Sequence, residues 1–215
     1  MNSQQRKSSG GDFSERGTEA WPPYCCVAAF VAAALEKLGH ANIGRESLAH
    51  KLDISVAPSS HNPWGLRVEV DPHLQGLTVA AATERIPRLL RSFDSELTFR
   101  HVLFNHVTLG LVEEVLVQAT LQGCVVGVGY DLSLMSGTGS AMMRHVARIE
   151  PASDSEHVVI LNDSEAFQPQ PVLARWSDLL PAVNAVTDGF WLVGPRKSMN
   201  LAYTPCFTAI AANGA

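Results

Sequence analysis

Two adjacent cysteines stand at the start of an apolar, alanine-rich run, Tyr24-Cys25-Cys26-Val27-Ala28-Ala29, directly after Pro22-Pro23. Apolar residues then recur at the helical period as far as Leu38, and Gly39 predicts the end of that helix. The unpaired N–H groups and the dipole at a helix N-terminus stabilise a thiolate, which lowers the pKa of a cysteine placed there. The run therefore predicts a helix that presents a nucleophilic thiol in its first turn.

The pattern downstream of this helix changes from helices to short strands. Helical periodicity predicts helices at 45–52, 80–91 (interrupted near Pro87), 109–121 and 171–186. Short apolar runs predict strands at 97–106, 124–130, 144–149, 157–162 and 190–194. Helices dominate the first half of the chain, and tight turns separate strands in the second. We therefore predict an α+β fold in which an N-terminal helical half, carrying the cysteine helix, packs on a mostly antiparallel sheet.

Composition divides the 215 residues into three parts. Residues 1–17 are polar and rich in serine and glycine, which predicts a disordered leader. Residues 18–197 carry the periodic segments and are predicted to form one domain, because no linker or repeat interrupts them. Residues 198–215 are predicted to be a C-terminal tail.

Charge and cysteine spacing exclude several classes of function. The net charge of -5 and the absence of a Lys/Arg cluster argue against nucleic-acid binding. No apolar run reaches the roughly 18 residues of a membrane span, and the leader has no apolar core typical of a signal peptide. We therefore expect a cytoplasmic protein with no membrane partner. No cysteine pair has the spacing of a zinc site, so we expect neither a metal nor a cofactor.

A histidine and a carboxylate complete a candidate thiol site. His145 begins one predicted strand and Asp163 follows the next, so two antiparallel strands would bring both to one edge of the sheet. The carboxylate would accept the imidazole Nδ1–H and leave Nε2 for a thiol, with Asn162 as the other candidate acceptor. Each residue alone more often has a structural role, but their order and contexts together favour a thiol site.

Five short motifs are spread over residues 18–197. They are the cysteine block at 23–28, the strand Val126–Tyr130 ending in tyrosine, Thr138-Gly139-Ser140 ahead of His145, the strand 159–163 ending in aspartate, and the closing Gly189-Phe190 strand. Together they resemble the phytochelatin synthase family, which has a papain-like fold and the chain order Cys…His…Asp.

The resemblance implies a papain-like fold and a catalytic triad of Cys25, His145 and Asp163. It also implies acyl transfer, in which an acyl-enzyme passes its acyl group to an amine to form an amide. Water as the acceptor, as in a cysteine peptidase or amidase, stays open. A binding protein that kept the fold without catalysis also stays open.

The departures from the family bear on catalysis. Glu19 stands where the family has a glutamine that donates to the oxyanion, and a carboxylate cannot donate unless it is protonated. Cys26 replaces a glycine, and a papain-style Cys-x-Ala alignment would select Cys26 as the nucleophile instead of Cys25. We prefer Cys25, with Glu19, Cys26 and Asn162 as neighbours of the thiol.

Other departures bear on the substrate. Leu132 and Ala166 stand where the family has arginines suited to a γ-glutamyl group, so the donor is predicted not to be glutathione. A small or peptidic acyl donor, or a carrier-bound thioester, fits a more apolar pocket, with an amine as acceptor. The residues predicted to line that pocket are Trp64, Tyr130, Leu132, Ser140 and Met143.

Overall fold

The computed structural model describes residues 26–40, 45–54, 77, 79–103, 106–137, 144–161 and 171–201. The helices in these ranges are α1 Cys26–Lys37, α2 Arg45–Lys51, α3 Val79–Phe93, α4 Leu109–Leu121, α5 Leu132–Ser136, α6 Trp176–Val186 and α7 Arg196–Leu201. The strands are β1 Leu97–Val102, β2 Val125–Asp131, β3 Arg144–Pro151, β4 His157–Leu161, β5 Val172–Arg175 and β6 Phe190–Pro195.

The strands form one sheet in the order β1-β6-β2-β3-β4-β5, and every pairing is antiparallel. Helices and an antiparallel sheet in one unit confirm the α+β prediction. β3 lies near the middle of the sheet, where Tyr130 of β2 is opposite His145 and Asp131 is opposite Arg144.

Each face of the sheet carries its own core. Strand residues alternate between the faces, so Val146 and Trp191 pack with α1, α2 and α3, whereas Ala147 and Phe190 pack with α4 and α6. We call these the α1 face and the α6 face. Gly127 lies on the α1 face, because a Cβ there would come within 2.5 Å of the Phe30 ring.

α1 runs in the same direction as β3. Phe30 lies over Gly127, the partner of Arg148, and the Arg148 Nη1 donates to Ala33 O at 3.2 Å. One turn further on, Lys37 Nζ is 3.3 Å from Glu150 Oε1. α1 therefore begins over the end of the sheet at which β3 begins.

Three segments differ from the elements predicted from sequence. α3 continues through Pro87, because Ile86, Leu89 and Leu90 are buried on both sides of it and their packing offsets the lost hydrogen bond. Residues 172–175, predicted as helix, form the edge strand β5 through pairing with β4. Residues 132–136, which lie between two predicted strands, form α5.

The packed structure extends past residue 197. α7 reaches Leu201 and packs on β1 and β6, with Met199 buried in the α6-face core. The leader, 1–17, and residues 202–215 of the predicted tail lie outside the described residues. In the described part of the chain, no helix is long and apolar enough to cross a membrane.

Candidate functional site

Four of the candidate site residues fall in the described part of the chain: Cys26, Tyr130, Leu132 and His145. The others lie outside it: Glu19, Cys25, Trp64, Ser140, Met143, Asn162 and Asp163. The structure therefore places the predicted base and the helix that follows the predicted nucleophile, but not the nucleophile or the carboxylate.

Cys26 is the first described residue of α1 and follows Cys25 in the sequence. The Cys26 side chain belongs to the α1-face core and is 8% exposed. That core also contains apolar residues of α1, α2 and α3, and a buried cysteine packs as a small apolar side chain does. Cys26 therefore contributes to the packing of the α1 face.

His145 is the second residue of β3 and is almost completely buried, with 2% exposed. Its ring meets that of Tyr130 edge to face, with centroids 5.5 Å apart, and Tyr130 belongs to the α6-face core. Because β3 alternates, His145 lies on the α6 face while its neighbours Arg144 and Val146 lie on the α1 face. Cys26 and His145 are thus at the same end of the sheet but on opposite faces.

Two strands pair with β3 in the described part of the chain. β2 pairs with it from Arg144 to Ile149, and β4 pairs with it from Arg148, opposite Leu161, to Pro151. His145 lies in the part of β3 whose described pairing is with β2, opposite Tyr130.

The two predicted lining residues have different surroundings. Tyr130 is fully buried against His145, so its ring orients the imidazole and does not line an open pocket. Leu132 is half-buried at the start of α5 and packs at the margin of the α6-face core. α5 is capped by Asp131, whose Oδ1 accepts from Ser133 N at 3.0 Å and from Ser133 Oγ at 2.8 Å.

A buried polar cluster on the α1 face was not predicted from sequence. Its members are His101, Arg144 and Asp188, and we call it the Asp188 cluster. Asp188 Oδ2 accepts from Arg144 Nε at 2.7 Å, and Asp188 Oδ1 is 3.3 Å from His101 Nε2. His101 Nε2 also contacts the Asp188 carbonyl oxygen, so this nitrogen carries the proton and donates.

Asp188 is held as a carboxylate by its partners. Burial would raise the pKa of Asp188, but the hydrogen bonds from His101 and Arg144 outweigh that effect and hold the pKa below its usual range. The Arg144 guanidinium also lies 5.4 Å from the centre of the Trp191 ring. The cluster therefore contains an ion pair between a buried carboxylate and a partly buried guanidinium, and the guanidinium packs on an aromatic ring.

Glycine in β2 makes room for this cluster. A Cβ at Gly129 would come within 2.2 Å of Asp188 Oδ2 and 2.6 Å of Asp188 Cβ. Gly127 and Gly129 are two residues apart in β2 and therefore lie on the same face, the α1 face. Gly127 leaves space for the Phe30 ring, and Gly129 leaves space for the Asp188 side chain. Two glycines spaced by one residue in a buried strand were the sequence signal that something packs closely there.

In the described ranges, no group of three or more histidine, cysteine, aspartate or glutamate side chains has the arrangement of a metal site.

Comparisons with known proteins were made for the whole chain. Neither a scan against models of protein families nor a search of curated proteins found a match.

Proposed function

We propose that this protein is a thiol-dependent acyl transferase of papain-like fold, with Cys25 as nucleophile, His145 as general base and acid, and Asp163 as the group that orients the imidazole. One observation carries the proposal. The described part of α1 begins at Cys26, the residue after Cys25 in the sequence, over the end of the sheet at which β3 begins with the buried His145.

The proposed reaction has two proton-coupled steps. The Cys25 thiolate adds to the carbonyl carbon of an amide or thioester, and the leaving group departs with a proton from His145. An amine then attacks the acyl-enzyme, gives a proton to the imidazole and takes the acyl group as an amide, which restores the thiolate and the imidazolium. Asp163 would accept the Nδ1–H of His145 and stabilise the imidazolium form.

The opposite faces of Cys26 and His145 impose a geometric requirement on this mechanism. The nucleophilic sulfur must meet the imidazole at the edge of β3, not over the α1 face. This requirement places the contact at the start of β3, where His145 lies. It also favours Cys25 over Cys26, because Cys26 is already part of the α1-face core.

The donor that we propose is an apolar acyl group. α5 follows β2 directly and carries Leu132, half-buried, and Leu134, which is 55% exposed. Neither residue offers the guanidinium that would bind a carboxylate of glutathione. Trp64, Ser140 and Met143 remain the other proposed lining residues, and a carrier-bound thioester remains the proposed form of the donor in the cytoplasm.

Trapping of the acyl-enzyme tests the assignment. The protein is incubated with an apolar acyl thioester of a small thiol and its intact mass is measured, followed by peptide mapping. The wild type and Cys26→Ala should both gain one acyl group on Cys25, whereas Cys25→Ala should gain none. A Cys25→Ala variant that acylates as fast as the wild type would refute Cys25 as the nucleophile.

The acceptor is decided by a second measurement with the same donor. Product formation is compared with and without a panel of primary amines at fixed pH. A transferase should release amide at a rate that rises with amine concentration. Turnover that is equal without amine, with free acid as the product, would show that the protein is a hydrolase.

A second candidate is a binding protein that kept this fold without catalysis, and one observation favours it. The His145 ring packs against Tyr130 on the face of the sheet away from α1, as a structural histidine would. In that case neither Cys25 nor Cys26 would be acylated by the thioester. The trapping experiment therefore separates the two candidates.

A further inference from the structure

We propose that Asp188, acting through Arg144, is the positioning residue for His145. This inference rests on the proposed function, because it assumes that His145 must be held in place to serve a thiol. The residues involved, 101, 144 and 188, are far apart in the chain. They lie on the α1 face of the sheet, whereas the imidazole of His145 lies on the α6 face.

Arg144 is the residue immediately before His145, and its side chain is tethered at three points on the α1 face. Its Nε donates to Asp188 Oδ2 at 2.7 Å, and its Nη1 donates to Leu77 O at 3.4 Å. Its guanidinium stacks on Trp191. Because adjacent strand residues point in opposite directions, the tether fixes the backbone from one face while Tyr130 packs on His145 from the other.

Asp188 is itself fixed by the strands around it. It stands in a turn between two residues of left-handed conformation, Thr187 at φ 47° and Gly189 at φ 72°. A Cβ at Gly189 would come within 2.0 Å of Val102 O, so this turn is pressed against the end of β1. The Asp188 side chain then crosses over Gly129 of β2 to reach Arg144.

The tether matters because of the geometry that a thiol–imidazole pair needs. A displacement of about 1 Å at a catalytic group can reduce the rate by about 10²-fold. Loss of the tether at Arg144, the residue next to His145, would therefore impair the site.

The chain supplies a matched control for this tether. Arg148 lies on the same strand and the same face, four residues from Arg144. It donates to Ala33 O and lies 3.6 Å from Glu150 Oε1, away from His145. Removing either arginine removes one largely buried guanidinium from β3, but only Arg144 adjoins the imidazole.

The test is the rate of iodoacetamide alkylation of Cys25 as a function of pH, measured by peptide mapping. A thiolate paired with an imidazolium is alkylated well below pH 7, whereas an ordinary thiol titrates near ~8.5. We expect the wild type and Arg148→Gln to show the low-pH reaction. In Arg144→Gln and Asp188→Asn, the rate of Cys25 alkylation at pH 6 should be at least about tenfold lower than in the wild type, because the thiol and the imidazole separate.

Folding is checked by circular dichroism and urea titration of each variant. If Asp188→Asn does not fold, the double variant Asp188→Asn/Arg144→Gln replaces it, because that variant leaves no uncompensated buried charge. A folded Arg144→Gln that keeps the low-pH reaction would overturn the positioning role. A wild type without that reaction would instead overturn the proposed thiol–imidazole pair, so the two failures are distinguishable.

Discussion

Replacement of Gly129 by alanine tests the packing beneath the Asp188 cluster. The added Cβ would come within 2.2 Å of Asp188 Oδ2, 2.6 Å of its Cβ and 2.7 Å of its Cγ. Because the Cβ of Asp188 is among the clashing atoms, rotation of the carboxylate alone cannot relieve the contact. Either the backbone of β2 shifts or Asp188 leaves Arg144 and His101.

The two ways of relieving the clash set the range of the expected loss in the free energy of unfolding. Overpacking of a core site destabilises by about 1–3 kcal/mol. Separating a buried ion pair so that its charges stay uncompensated costs about 3–5 kcal/mol. We therefore expect Gly129→Ala to lower the free energy of unfolding by about 2–4 kcal/mol, between these two values.

The assay is equilibrium urea unfolding at pH 7, with Gly110→Ala as the matched control. Gly110 lies in α4, and a Cβ there would meet no atom within 4 Å. Because alanine is the better helix former, Gly110→Ala should raise the free energy of unfolding by about 0.5–1 kcal/mol. A Gly129→Ala variant within about 0.5 kcal/mol of the wild type, the range of an ordinary surface substitution, would refute the described packing.

Three further predictions concern single groups. The pKa of Asp188 is held below its unfolded value of ~3.9, so its contribution to stability is present above that pH and is lost as the pH falls through the folded pKa. The free energy of unfolding of the wild type should therefore fall more steeply below pH 4 than that of Asp188→Asn; equal slopes would contradict this. Burial raises the pKa of Cys124 to about 11, so Cys124 should be alkylated at pH 8.5 far more slowly in the folded protein than in urea, and equal rates would show that its thiol is accessible. Asn184 exchanges two hydrogen bonds with the backbone of Val107, at 2.6 and 2.9 Å, and Asn184→Ala should cost about 1–3 kcal/mol in urea unfolding because it leaves both backbone groups unpaired. A cost below that of a surface substitution would argue against this bridge.

Local signals predicted most elements of the fold. α4 was predicted at 109–121 and is found there, because the Thr108 side chain caps its N-terminus and apolar residues follow the helical period. The segment 171–186 was predicted as one helix, but its first part is strand β5. Val172, Leu173 and Trp176 fit the helical period, whereas Val172, Ala174 and Trp176 fit the period of a strand. Pairing with β4 decides between the two.

The site was predictable only in part. The position of His145 at the start of a strand follows from the sequence pattern, but the face of the sheet that it occupies does not. A shift of one residue in register moves every side chain of the strand to the other face. The Asp188 cluster joins residues 101, 144 and 188, and no spacing along the chain brings them together. Only the glycines of β2 indicated that a close approach occurs on that face.

The central claim is that Cys25 and His145 meet, and a short bifunctional reagent tests it most directly. Dibromoacetone alkylates a thiol and then an imidazole, and its three-carbon bridge can join them only when they are in near contact. After brief treatment and proteolysis, we expect one cross-linked peptide pair that joins Cys25 to His145, formed equally in Cys26→Ala. Alkylation of Cys25 with no link to His145 would contradict this claim. So would a link that joins Cys26 to His145, or one that joins Cys25 to His101.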